Sequence, residues 1–357
     1  MSRGVFKLGL VAILAMTAAS LAGVAPAFAG SAAVIVVHPG QSIQRAVNHA
    51  GPGDTIMVEA GVYHQSVQIK HTDDLTLQGA GAGAHGTILM PPVSPAARTN
   101  ACERQHSGIC VFGTSTTPVD GTRVSGFRVV GFHGIGIVAF GSSNSRFDHD
   151  AALHNGEYGM TSFVSSGNTY DHNLAVGSEE AGFYYGDSPD AQGTFEHNVS
   201  RGNLFGFFLR DSATGVLQDN LATGNCAGFL FLDTGSGIAG NWTAQHDISS
   251  RNDRFCPANE EAPAISGVGM AIVGADGVVI TENRIDRNVP SQQADISGGV
   301  VVLSSVPFGG NDENGNQVTE NTILRNRPKD VIWDGKGTGN TFSGNNCRRS
   351  RPSSICM

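Results

Sequence analysis

Three acidic dipeptides recur at a near-constant interval: Asp187-Ser, Asp211-Ser and Asp233-Thr, 24 and 22 residues apart. Carboxylates stacked at such an interval could hold Ca2+, or one could serve as general acid or base if its surroundings raise its pKa. Arg210 stands beside the middle acid and could neutralise a carboxylate on a substrate. The same dipeptides also make ordinary Asx turns, in which the acid bonds its own backbone. A second series is His149, His172, His197, Asp219, His246, Glu282 and Glu320. Three successive His could bind a transition metal if they stand one above another. The alternative is a solvated corner where any polar residue serves, as Asp219 and Glu282 suggest.

Both series need a scaffold that repeats every 22 to 25 residues, and the sequence contains one. Asn, Asp or Ser residues pair five positions apart: Asp150/Asn155, Asn173/Ser178, Asn198/Asn203, Asn220/Asn225, Asp247/Asn252, Asn283/Asn288 and Asn321/Asn326. Successive first members lie 23, 25, 22, 27, 36 and 38 residues apart. An apolar residue precedes most of them (Phe147, Tyr170, Phe195, Leu217, Ile280), and a Gly opening an apolar run follows, as in Gly182-Phe-Tyr-Tyr and Gly206-Phe-Phe-Leu. Short β-branched or aromatic runs between Gly and Asn read as strands with tight corners. A period near 23 fits three short strands and three turns, one rung of a solenoid whose rungs stack at about 4.8 Å. Asn is expected to supply the left-handed backbone of the corners and to hydrogen-bond as a ladder.

The pattern resembles the right-handed parallel β-helix family, the pectin-lyase-like superfamily, over about residues 34–346. The opening strengthens the resemblance: Pro39-Gly-Gln-Ser-Ile-Gln-Arg-Ala-Val-Asn, then Gly53-Asp-Thr-Ile-Met-Val, Gly61-Val-Tyr and Leu75-Thr-Leu-Gln-Gly. The expectation is an all-β, right-handed solenoid with an N-terminal capping helix and a disulfide-stapled C-terminal cap. Ser42 would N-cap the helix, with Ile43, Ala46, Val47 and Ala50 on its apolar face. Residues 30–90 would form the cap and first rungs, 120–346 the repeat rungs and 347–357 the second cap, all one domain over 30–357.

The resemblance implies a substrate groove on the strand after the Gly. Alternation then points Met160, Phe183, Phe207, Phe229 and Met270 inward. The outward set includes Val138, Phe140, Thr161, Phe163, Tyr184, Phe208, Arg210, Leu230, Leu232, Ala271 and Val273. That face is unusually apolar, which signals a partner, a covering loop or a dimer surface. The resemblance implies Arg210, Asp211, Asp187 and Asp233 as a catalytic cluster, Tyr184, Phe208, Phe163 and Phe140 as sugar-stacking residues, and Ca2+ as a possible cofactor. The longer signatures of polygalacturonases, pectin methylesterases and mannuronan epimerases are absent from the sequence. Segments Cys256-Pro-Ala-Asn-Glu-Glu-Ala-Pro, Pro290-Ser-Gln-Gln-Ala-Asp, Val306-Pro-Phe-Gly-Gly-Asn-Asp-Glu-Asn-Gly and Pro91 to His106 are insertions that could wall a groove, with Glu260, Glu261, Asp295, Asp312 and Glu313 as carboxylates.

Composition narrows the partners. The chain has 357 residues, 48 of them Gly, and a net charge of −9. So many Gly argue against a helical protein. The acidic balance gives no reason to bind nucleic acid or an anionic membrane. Residues 1–29 read as a signal peptide: Arg3 and Lys7, an apolar stretch from Leu8 to Ala25, then Ala27-Phe28-Ala29. No span is expected after its removal, so the protein is expected to be secreted. Six Cys in an exported chain read as disulfides; 15 connectivities are possible, and nearest-neighbour pairing is the simplest: Cys102–Cys110, Cys226–Cys256 and Cys347–Cys356. The expected function is an exported β-helix that binds an extracellular polysaccharide and cleaves or epimerises it; as an enzyme it would be a lyase or glycoside hydrolase. The alternatives are a non-catalytic adhesion module and a metal-handling protein of the periplasmic type.

Overall fold

The computed structural model describes residues 32–93, 100–259 and 262–356. The expected signal peptide, Glu260 and Glu261 lie outside the described residues.

Strands of two to six residues dominate the chain, and nearly all pair in parallel with the strand one winding on. They form three walls. The first contains Arg146–Asp148, Thr169–Asp171 and Gly193–Glu196. The second is an 11-stranded sheet including Ala151–Leu153, Leu174–Val176 and Val199–Arg201. The third contains Ile137–Phe140, Met160–Phe163, Ala181–Ser188 and Ala227–Leu232. The 14-residue strand Phe205–Gln218 runs from the third wall into the first, which joins those two into one 23-stranded sheet.

The Asn residues form the expected files. Asn198 Oδ1 accepts the Asn173 backbone N–H at 3.0 Å, and Asn220 Oδ1 accepts that of Asn198 at 2.9 Å. Their Nδ2 groups reach backward to the Phe147, Tyr170 and Phe195 carbonyls. The five-residue spacing creates two such ladders, one at each end of the second wall; Asn203 Oδ1 and Asn225 Oδ1 serve the other corner in the same way. The left-handed backbone, however, belongs to the residue before each Asn. His149, His172, His197, Asp219, His246, Glu282 and Glu320 all have φ between 55° and 59°. Asn is needed instead for its amide, which satisfies both a donor and an acceptor of a buried corner.

The interior is filled by stacked side chains. Phe147, Tyr170 and Phe195 lie ring over ring at 5.0 Å. Phe183, Phe207 and Phe229 do so at 4.9 and 4.7 Å. Their separations match the strand spacing, so one rotamer serves each winding. The predicted inward set Met160, Phe183, Phe207, Phe229 and Met270 is fully buried. The Gly that opens each third-wall strand is also explained by stacking: a Cβ on Gly206 would lie 2.3 Å from the Gly228 carbonyl oxygen of the next winding.

At the N-terminal end, helix Ile43–His49 is capped by the Ser42 side chain, which accepts the Arg45 N–H. Ile43, Ala46 and Val47 are buried where the helix meets strands Val34–Val37, Thr55–Val58 and Val67–Ile69. The three disulfides are the nearest-neighbour pairs. Among the described residues no helix is long and apolar enough to cross a membrane.

Candidate functional site

The outward side of the third wall is covered over most of its area. Two apolar clusters lie on it. One joins Tyr184, Phe208, Leu230, Ala271 and Val301 with Cys226, Cys256 and Ile265. The other joins Val138 and Ile135 with Cys102 and Cys110. The insertions after Asp247 and before Ile109 fold back onto the wall, each pinned by a disulfide. The apolar stripe is therefore a pair of secondary cores. This relocates part of the expected sugar platform: Tyr184 and Phe208 are only 1% and 7% exposed, so neither presents a free face.

One row of side chains lies along the margin of this cover, with Phe163 packed against both clusters, Phe112 against the second and Leu232 against the first. Strand register aligns Phe112, Phe140, Phe163, Gly186, Arg210 and Leu232 across six successive windings. Phe140 is 42% exposed, and Phe112, Phe163, Arg210 and Leu232 are half-buried. The row thus presents three Phe side chains, a gap, and a guanidinium, each about 4.8 Å from the next. The gap at Gly186 is required. A Cβ there would fall 2.0 Å from the Tyr184 hydroxyl oxygen, because the Tyr184 ring lies across the backbone at this point.

Tyr184 is the hub of the polar groups. Its ring contacts Tyr158 at 4.7 Å, Phe163 at 4.9 Å and Phe208 at 5.2 Å. Burial pushes its phenol up, opposed by the nearby Arg210, so it stays a neutral donor through the physiological range. Tyr158 is also pushed up, by burial and by a hydrogen bond with Glu180. Glu157 is the acid in this group with a raised pKa; partial burial is the main cause and Glu180 the second. Burial pulls the Arg210 guanidinium down, but Tyr184, Asp211 and Asp187 outweigh it, and its pKa ends above the ordinary value. Arg210 is a permanent cation with acids on both sides.

The acid column stands in register, but its members differ. Asp187 and Asp211 flank the paired residues Gly186 and Arg210, and Asp233 follows Leu232 on the next winding. Asp211 is buried; its carboxylate accepts the Thr234 backbone N–H and hydroxyl at 2.8 and 2.5 Å and the Arg210 Nε at 3.3 Å. Asp233 is buried too, accepting the Gly235 N–H at 2.6 Å and the Asn311 amide at 2.7 Å. Those two hold loops, as Asx-turn residues do. Asp187 alone is exposed, on a left-handed backbone of φ 51°. Among the described residues, these three carboxylates are not a group of converging donor atoms.

Glu157, Tyr158, Glu180 and Phe112 were not among the sequence candidates. Phe112 had a signal: Cys110-Val-Phe-Gly repeats the form of Val138-Ala-Phe-Gly one winding earlier. The insertion that precedes it interrupts the period. Of the insertion acids, Asp295 Oδ2 accepts the Ala264 N–H, while Glu313 accepts the Trp333 indole N–H. Neither faces the row. A separate cleft of about 490 Å3 opens between the two helices and is lined by Gln44, Gln68, Asn100 and Arg104. Gln44, Gln68 and Asn100 already bond one another or nearby backbone there.

A second constellation lies on the corner between the first and second walls. His149, His172 and His197 stack at 5.1 and 4.6 Å between ring centres. His149 Nδ1 meets Asp148 at 2.9 Å and His172 Nδ1 meets Asp171 at 2.5 Å. Burial works against charge on Asp148, but bonds from Arg123, His149 and Ser125 draw its pKa down to about 2.

The walls and ladders define a parallel β-helix, and one register row on its third wall carries three Phe side chains and an Arg. The model of the right handed beta helix region matches residues 61–194 and 99–243, together just over half of the chain, and the chain belongs to that family. No curated protein matches. Several solved structures share the fold. The pectate lyase Pel9A is 16% identical with a TM-score of 0.52, covering 90% of this chain and 80% of its own. The A-module of the Azotobacter vinelandii mannuronan C-5 epimerase AlgE6 is 18% identical with a TM-score of 0.52, covering 85% and 87%. The ORF18 protein of Geobacillus virus E2 is 9% identical with a TM-score of 0.53; the match covers 87% of this chain but only 60% of the viral protein. At these identities the likeness establishes the fold.

Proposed function

We propose that this is an exported carbohydrate-active β-helix protein that binds an extracellular polysaccharide along the third wall and cleaves or epimerises it. The observation that carries the reading is the register row Phe112, Phe140, Phe163, Gly186 and Arg210, in which Phe140 is exposed and Phe112, Phe163 and Arg210 are half-buried at the margin of two disulfide-pinned covers. Its spacing is close to that of successive sugar units, so aromatic side chains can meet the apolar faces of sugars laid across the windings. Phe140 and Phe163 take the stacking role, with Tyr184 and Phe208 as their support. Arg210 faces a substrate carboxylate or hydroxyl and offsets the chain's net charge of −9, which otherwise repels an acidic polymer. Asp187 is the exposed base candidate, and Asp211 and Asp233 are positioning residues for the cluster. Glu157 supplies the acid with a raised pKa. The names of two neighbours, pectate lyase and mannuronan C-5 epimerase, supply the polymers to try first. Three disulfides and the residue 1–29 pattern support export.

The test is a screen of uronic and neutral polysaccharides with purified protein, following ultraviolet absorbance for elimination, reducing ends for hydrolysis and NMR for epimerisation. One product signal, abolished by Arg210→Ala, is the expected result. A protein that neither alters nor binds any of the polymers contradicts the reading.

A further inference from the structure

We propose that Asp171, His172 and His197 form a binding site for a divalent transition-metal ion of the Zn2+ class. The site lies on the corner between the first and second walls and does not depend on the polysaccharide reading. Among the described residues these are the three metal-capable side chains whose donor atoms converge, all within 4.8 Å of one another.

The geometry singles out one oxygen. Asp171 Oδ1 lies 2.5 Å from His172 Nδ1 and 3.4 Å from His197 Nδ1. The other oxygen, Oδ2, accepts from Arg146 at 2.5 Å, which orients the carboxylate. The two imidazoles belong to successive windings and lie 4.6 Å apart, 21° from parallel, with both Nδ1 atoms turned to the same acceptor. Both rings address the same carboxylate oxygen. A cation set between the three atoms engages them all.

The distances allow it. Donors bound at about 2.1 Å in a tetrahedral shell stand roughly 3.4 Å apart. The His197 to Asp171 separation is already 3.4 Å, and His172 needs to open by only about 1 Å, which an exposed side chain does freely. Two imidazoles and one carboxylate suit Zn2+, Ni2+ or Cu2+ better than Ca2+, which takes oxygen donors. Both rings are exposed, leaving room for water in the remaining positions. Glu196 stands in register with Asp171 one winding on, and Asp219 Oδ2 lies 3.9 Å from His197 Nε2, so further anionic oxygen is near. The left-handed corner explains why a polar residue occurs at these positions. It does not explain why two consecutive ones address the same carboxylate.

The experiment is calorimetric titration of the intact, metal-stripped protein with Zn2+, repeated with excess Ca2+ present. The wild type is expected to bind one tightly held Zn2+ that Ca2+ does not displace. His172→Asn and His197→Asn, which keep a residue tolerant of the left-handed backbone, should each weaken binding roughly tenfold or more. His246→Asn, whose ring pairs with Glu282 outside the cluster, should bind as the wild type does. Added Zn2+ should also raise the melting temperature of the wild type and not of the double variant. No Zn2+ uptake by the wild type overturns the proposal, as does uptake unchanged in His172→Asn and His197→Asn or equally lost in His246→Asn.

Discussion

The Asn file at the first corner and the register row of the third wall are built from the same windings, yet they behave oppositely. Asn173, Asn198 and Asn220 are the same residue, buried, and bonded to one another and to backbone. The row changes type along its length, from Phe112 through Gly186 to Arg210 and Leu232, and keeps its side chains partly in water. A position repeated on every winding is filled by whatever closes the solenoid. A position that varies from winding to winding is not fixed by the closing of the solenoid, and under the proposed function it is shaped by a ligand.

Breaking the scaffold file should have the largest effect. Asn198→Ala strands the Asn173 N–H and the Tyr170 carbonyl in a dry corner. With about 1–3 kcal/mol for each buried group left unpaired, the loss should be on the order of 3 kcal/mol in chemical denaturation. An effect under about 0.5 kcal/mol, the range of ordinary surface changes, would mean the ladder is not structural.

The next effect has the opposite sign. Asp247 occupies an Asn position in the same file, and its Oδ1 accepts the Asn220 N–H and amide at 2.8 and 2.9 Å. Its Oδ2 has no partner, where Asn220 and Asn283 turn an Nδ2 donor toward the Phe195 and Ala244 carbonyls. Burial raises its pKa to about 8 from the ordinary 3.8, so the folded chain holds a proton that the unfolded chain gives up. The stability tied to this group is therefore full below the unfolded value and falls as pH rises through the folded one. Asp247→Asn should remove that slope and raise stability at pH 8 by on the order of 2 kcal/mol. Denaturation midpoints at several pH values between 4 and 8 check it; parallel curves for both proteins would refute it. Asp150, fully buried with its Oδ2 also unpartnered and its pKa well above normal, should behave likewise.

The smallest expected effect sharpens the other side of the comparison. Phe140→Ala removes an exposed ring from the row and should leave the melting temperature nearly unchanged, while weakening retention on the preferred polysaccharide in affinity electrophoresis by about 1 kcal/mol, several-fold in affinity. Equal retention would remove Phe140 from the site.

Much of this was legible in the residues. The 22- to 27-residue spacing of Asn173, Asn198, Asn220 and Asp247 fixes the windings, and alternation sorts Phe183, Phe207 and Phe229 inward because every strand shares one pleat. Nearest-neighbour pairing was the simplest of the 15 connectivities the sequence leaves open, and the disulfides join those pairs, 8, 30 and 9 residues apart. What the pattern could not carry is the cover. Tyr184 and Phe208 do point outward, but alternation does not say that the segment containing Cys256 and Ile265 lies over them. Asp211 and Asp233 likewise share the period of Asp187, and only the positions of Thr234 and Asn311, 23 and 78 residues away, show that both are held by loops. The left-handed corner was placed one residue late, because an Asn repeat looks the same whether its backbone or its amide is in use.

The most direct test of the site is binding of wild type and Arg210→Ala, side by side, across one panel of acidic and neutral polysaccharides. The expected result is selective binding of an acidic polymer by the wild type, lowered roughly tenfold or more in the variant with its melting temperature intact. Equal binding by both proteins, or none by either, would contradict the assignment of the row from Phe112 to Arg210 as the functional face.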